Sequence, residues 1–169
     1  MHSETSPRVA IIAYGNPLRS DDGIGWHLAQ LLQNEQSNCL TELICVHQLT
    51  PEIAENAAGA VGVIFVDASQ TGEPGEICFA PAEAEKGEEL FSHTLCPGQI
   101  LALTERLYGK RPLAFAVSVA GESFDHGDAL SETLRNALPV LVRTVKDLVS
   151  RLSRQLDPST LEQRDACAV

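Results

Sequence analysis

Two stretches, "VAIIAY" (9–14) and "VGVIFVDA" (61–68), are almost uninterrupted apolar runs rich in β-branched residues. A strand with one face in water alternates apolar and polar positions. A strand without that alternation must be covered on both faces. Such strands require helices above and below one sheet, and the chain supplies them in alternation. "GIGWHLAQLLQNEQ" (23–36) sets Ile24, Leu28, Leu31 and Leu32 at helical spacing. "TPEIAENAA" (50–58) reads as a helix with Thr50 as cap and Pro51 at its first position. "CPGQILALTERLYG" (96–109) is a helix stopped by Gly109, and "LSETLRNALPVLVRTVKDLVSRL" (130–152) is a long one. Pro139 lies inside that last helix and is predicted to kink or split it. "TELICVHQL" (41–49), "GEICFAP" (75–81) and "LAFAVSVA" (113–120) complete the strands. The pattern predicts an α/β fold, a single-domain three-layer sandwich with a mostly parallel five-stranded sheet and helices on both faces. That domain spans residues 1–154, and the aperiodic tail 155–169 is expected to fray.

Charge narrows the function. With 23 acidic against 12 basic residues the net charge is −11, which argues against nucleic acid, whose binding rests on cationic side chains meeting phosphates. The same sign disfavours an anionic membrane surface, and no apolar stretch approaches the ~18 residues of a spanning helix. "MHSETSPR" lacks the charged-then-apolar pattern of a secretory signal, so the expected location is cytoplasmic. Part of the acidic excess, "EAEKGEEL" (83–90), reads as a solvated loop. The five cysteines are odd in number and form no C-x-x-C pair, which suggests neither a disulfide framework nor a zinc cage. Cys45 and Cys78, in apolar runs, are expected to be small core residues.

In an open parallel sheet, ligands bind beyond the carboxyl ends of the strands. Asp21 and Asp22 follow the first strand, His47 the second and Asp67 the third; His93 comes after the fourth; Glu122, Asp125 and His126 follow the fifth. Only Arg19 adds a positive charge to this set. Each residue has an ordinary structural alternative. Asp22 reads as a helix N-cap, Asp67 as a turn-former, His93 as a loop residue, and His27 beside Trp26 as packing. Together they suit a cation, because carboxylates and imidazole are the donors of divalent first-row metals. Three protein ligands would leave positions open, as functional sites do. Other motif classes fail: Gly15 is followed by Asn16 and Pro17, so there is no G-x-G-x-x-G, and no Walker lysine, H-E-x-x-H or G-x-S-x-G occurs.

"GNPLRSDDGIG" (15–25) after the first strand, "VIFVDA" with Asp67, and "SHTLCPGQILAL" around His93 together resemble the [NiFe]-hydrogenase maturation endopeptidases. "GDALSETLRNALPVL" is similar to the start of that family's last helix, and the similarity runs from Val9 to Val145. The resemblance implies a protease that removes a C-terminal peptide from a hydrogenase large-subunit precursor after nickel insertion, recognising the bound nickel. By position it makes Asp22, Asp67 and His93 both the metal-binding and the catalytic residues. Relatives carry glutamate where this chain has Asp22, one methylene shorter, which leaves Asp21 as the alternative. The nickel belongs to the substrate, and zinc or cadmium is expected to substitute in vitro. "HQLTPEIAE" (47–55) and "YGNPLRSDDG" resemble the branch serving bidirectional, NAD-linked hydrogenases. The competing reading is a receiver-like phosphoacceptor domain using Asp21, Asp22 and Asp67. Against it, "GNPLRS" separates the acids from the strand, and "SVAGESFDHG" offers no lysine after the fifth strand. A metal carrier or scaffold without catalysis is a third reading.

Overall fold

The strands form where the hydrophobic runs lie: β1 Val9–Tyr14, β2 Thr41–Val46, β3 Gly62–Ser69, β4 Ile77–Pro81 and β5 Leu113–Ala120. Four helices, α1 Ile24–Asn34, α2 Ile53–Gly59, α3 Pro97–Tyr108 and α4 Glu132–Gln155, join them, with a 3-10 turn, Ser20–Gly23, leading into α1. This computed structural model describes residues 8–34, 41–85 and 95–155. The expected tail beyond Gln155, and most of the acidic stretch 83–90, lie outside the described residues.

The sheet order is β2-β1-β3-β5-β4. β1 is parallel to β2 and β3, β3 is parallel to β5, and β4 alone runs antiparallel, against β5. The chain passes from β1 to a neighbour on one side and then to β3 on the other. The sheet's switch point therefore lies between the carboxyl ends of β1 and β3, where such folds open a crevice.

Strand parity separates two cores. Val9, Ile11, Ile64, Val66, Val117 and Val119 face α1 and α4, burying against Ile24, Leu28, Leu134, Leu141, Leu148 and Leu152. Ala10, Ile12, Val63 and Phe65 face the opposite way, onto Ile53, Ala54 and Ala57 of α2 and Ile100, Leu101 and Leu103 of α3. Each large side chain so buried contributes about 1.5–3 kcal/mol relative to exposure. The result is the expected three-layer sandwich.

Four local expectations are corrected. α4 is not split: Pro139 lies within one continuous helix. Its ring sits on the exposed side, where water can satisfy the carbonyl its missing N–H leaves unpaired, and the buried leucine stripe holds both halves. α2 starts at Ile53 rather than Pro51, preceded by a tight turn in which the Ile53 and Ala54 N–H groups donate to the Thr50 and Pro51 carbonyls. Cys78 is exposed and Cys45 only half-buried, because β4 and β2 are the edges of the sheet. Lastly, β4 ends at the amino edge, Pro81 pairing with Phe115. Beyond it the Ala82 N–H donates to the Ala114 carbonyl at 2.9 Å and the Glu85 N–H to the Gly98 carbonyl of α3 at 3.0 Å.

Candidate active site

The loop after β1 turns sharply at Gly15, whose φ of +137° favours glycine. A Cβ there would lie 2.2 Å from the Asp22 carbonyl oxygen, so the chain doubles back onto itself only because no side chain intervenes. Asn16 holds the turn in two ways. Its N–H donates to Asp22 Oδ2 at 2.8 Å, and its Oδ1 accepts the Leu18 N–H at 2.9 Å. Asp22 is thus no N-cap: Arg19 occupies the cap position of the 3-10 turn, without a side-chain cap bond.

The adjacent aspartates have different surroundings. Asp21 is fully buried, and its carboxylate accepts three backbone N–H groups from the far end of the chain. Glu122 and Ser123 donate to Oδ2 at 2.8 and 2.9 Å, and Ser131 donates to Oδ1 at 2.7 Å. Burial pushes its pKa up, but the hydrogen bonds from Ser123, Ser131 and Glu122 outweigh that and hold the carboxyl below its ordinary range. Neighbouring contacts reinforce this clamp. The Ser20 N–H donates to the Gly127 carbonyl at 2.8 Å, and Ser20 Oγ donates to the Asp125 carbonyl at 3.0 Å. Ser20 takes a left-handed φ of 49° to make them. Asp21 is therefore committed to structure, which leaves Asp22 as the acid available to chemistry.

Asp67 is half-buried near the end of β3. Parallel partners Ile12↔Phe65 and Ala13↔Val66 bring the next residues, Tyr14 and Asp67, alongside each other on the α2/α3 face. The Tyr14 hydroxyl donates to the Asp67 carboxylate. Burial raises the Asp67 pKa from 3.8 to about 6, the Tyr14 hydrogen bond acts against that rise, and the charge of nearby Asp22 adds to it. Burial, the Asp67 charge and the Cys96 sulfur close by push the Tyr14 phenol upward in turn. Cys96 starts α3, its N–H donating to Gln99 Oε1 and its thiol to Glu85 Oε1, both at 3.0 Å.

The structure thus places Asp22 near enough to Asp67, by the carboxyl ends of β1 and β3, for its charge to raise the Asp67 pKa. His93 lies outside the described residues. Among the described residues no three His, Cys, Asp or Glu side chains form a metal-holding group. The acids expected after β5 serve through their backbones: Glu122 through its N–H, Asp125 through its carbonyl. His126 is exposed, and exposed His47 stacks edge-on against Trp26 at 5.6 Å. The Trp26 indole N–H donates to the Gly15 carbonyl at 2.9 Å, bracing the loop. His27 borders a groove of about 340 Å³ between α1 and β2, whose lining includes neither Asp22 nor Asp67. Tyr14 was not predicted; the available signal was an aromatic hydroxyl ending an otherwise aliphatic strand.

Two juxtaposed carboxylates, one desolvated, repel each other and attract a cation. A receiver module has five parallel strands in the order 2-1-3-4-5, and the antiparallel edge strand here departs from it. Among the described residues no helix is long and apolar enough to cross a membrane.

The chain's sequence matches no family model and no curated protein. Its fold is similar to solved structures. The hydrogenase maturating endopeptidase HybD from E. coli aligns with a TM-score of 0.69 at 21% identity, covering 85% of this chain and 93% of that one. The [NiFe] hydrogenase maturation protease HycI from Thermococcus kodakarensis aligns at 0.67 and 22%, covering 88% and 95%. HybD from the same archaeon aligns at 0.59 and 25%, covering 84% and 99%. By these alignments, over most of its length, this chain has the fold of the [NiFe] hydrogenase maturation proteases.

Proposed function

We propose that this protein is an endopeptidase that removes the C-terminal peptide of a [NiFe]-hydrogenase large-subunit precursor after nickel insertion. The observation that carries the reading is the Asp22–Asp67 pair at the switch point, in a fold shared with proteins of that activity. Asp22 and Asp67 engage the nickel that the precursor already holds, and His93, three residues before Cys96, is the third donor. Asp21 clamps the loop so that Asp22 is presented without cost in mobility. The chemistry a cation supplies to a peptide bond is polarisation of the scissile carbonyl or activation of water. The spellings "YGNPLRSDDG" and "HQLTPEIAE" favour a precursor of the bidirectional, NAD-linked class.

The test incubates the purified protein with nickel-loaded and nickel-free precursor and follows the size shift on a gel. Processing of the loaded form alone is expected, and Asp22→Ala, Asp67→Ala and His93→Ala should each abolish it with folding retained. Equal processing of both forms would overturn nickel recognition. Processing of neither would overturn the protease reading.

A further inference from the structure

We propose that Tyr14 is a positioning residue, holding the Asp67 carboxylate in the orientation from which it meets a cation in the crevice between β1 and β3. The inference rests on the reading of that crevice given above and deepens it. Parallel register places Tyr14 one step beyond the Ala13↔Val66 pair, beside Asp67 and on the same face. There the phenol O–H donates to the carboxylate. A carboxylate's terminal torsion is broad and roughly two-fold, so an Asp at a strand end has little intrinsic preference for the orientation of its carboxylate plane. A donor fixed on the neighbouring strand supplies that preference. Tyr14 is itself well fixed: its backbone belongs to β1, which has strands on both sides, and its ring packs against the α2/α3 core. Asp22, the other acid, is held in the same manner by the Asn16 N–H at 2.8 Å. Each carboxylate of the pair thus has one donor from the protein.

Carboxylates that ligate metals are generally hydrogen-bonded themselves, and loss of such a partner typically lowers metal affinity roughly 10–100-fold. The experiment titrates nickel into the full chain by calorimetry for the parent, Tyr14→Phe, Asp67→Ala and the double variant. Melting without metal is recorded beside it. Tyr14→Phe keeps the ring, so its metal-free melting should stay near the parent's while nickel affinity falls roughly 10–100-fold. In the Asp67→Ala background Tyr14→Phe should have no further effect, a non-additivity that a general packing role would not produce. Tyr14→Leu, a second variant lacking the hydroxyl, should show a loss at least as large. Nickel binding by Tyr14→Phe as tight as the parent's, with binding weakened in Asp67→Ala, would overturn the positioning role alone. No saturable binding by the parent, or undiminished binding by Asp67→Ala, would overturn the crevice reading and the inference together.

Discussion

Replacing Asp21 by asparagine keeps the side chain's size and removes its charge. Three backbone N–H groups, from Glu122, Ser123 and Ser131, point at the native carboxylate. The amide has one oxygen. With that oxygen at the Oδ2 position it still accepts from Glu122 and Ser123, but its NH₂ then meets the Ser131 N–H donor to donor and keeps only the Ser131 hydroxyl as a partner. The opposite orientation loses two bonds instead of one. Hydrogen bonds to charged groups are worth about 1.5–3 kcal/mol net, and neutral ones roughly half as much. One lost bond and two weakened ones, less the relief of burying no charge, give a destabilisation of about 2–4 kcal/mol. Asp22→Asn is the control, since its oxygen can still accept the single Asn16 N–H, and it should cost under about 1 kcal/mol. Urea unfolding at neutral pH should show a lower midpoint for Asp21→Asn at unchanged slope. The native Asp21 carboxyl titrates below its ordinary range. The stability it contributes is therefore complete above the unfolded pKa and is lost as pH falls through the folded one. Asp21→Asn should accordingly show a shallower decline in acid. The reasoning fails if Asp21→Asn unfolds within about 0.5 kcal/mol of the parent, or if Asp22→Asn is the more damaging change.

Asp67 predicts the opposite slope over a neighbouring interval. Its folded pKa of about 6 exceeds the ordinary 3.8, so the folded state holds the proton more tightly. Stability should fall by up to about 3 kcal/mol as pH rises from 4 to 6. Urea midpoints across that range should flatten in Asp67→Asn, and a pH-independent difference would refute the shift. Gly15→Ala would place a methyl 2.2 Å from the Asp22 carbonyl oxygen at a φ of +137°. It should lower the thermal midpoint by at least several degrees and weaken nickel binding as well, whereas an unchanged melt would mean that the loop can open without penalty.

What the sequence made legible was whatever a local pattern records. The runs at 9–14 and 113–120 coincide with β1 and β5, because doubly covered strands leave a continuous apolar signature. Strand direction leaves no such trace. The five residues of β4 have the same composition either way round, and only the pairing of Ile77 with Val119 shows it to be antiparallel. Burial at an edge is equally a matter of neighbours, which is why Cys78 looked like core and lies exposed. Asp22 and Asp67 were legible as a pair through the rule about strand ends. The division of labour between Asp21 and Asp22 was not, since the donors that occupy Asp21 lie 101, 102 and 110 residues away. Tyr14 carries no such mark, because its hydroxyl acquires meaning only through the register of β1 on β3.

Those same separations set a timetable for biosynthesis. A ribosome adding about 5–20 residues per second needs roughly 5–20 seconds to travel from Asp21 to Ser131. Through that interval the carboxylate has no internal donors and stays in water, so the loop carrying Asp22 is not yet locked. Contacts of such long range also slow folding, since chain closure must precede their reward. The N-terminal half emerges with its acids in place yet cannot clamp the loop carrying Asp22 by itself. A truncated or prematurely released chain lacking residues 122–131 would possess both acids of the pair but not the donors that clamp Asp21, so the loop that presents Asp22 is locked only once the last helix has begun to form.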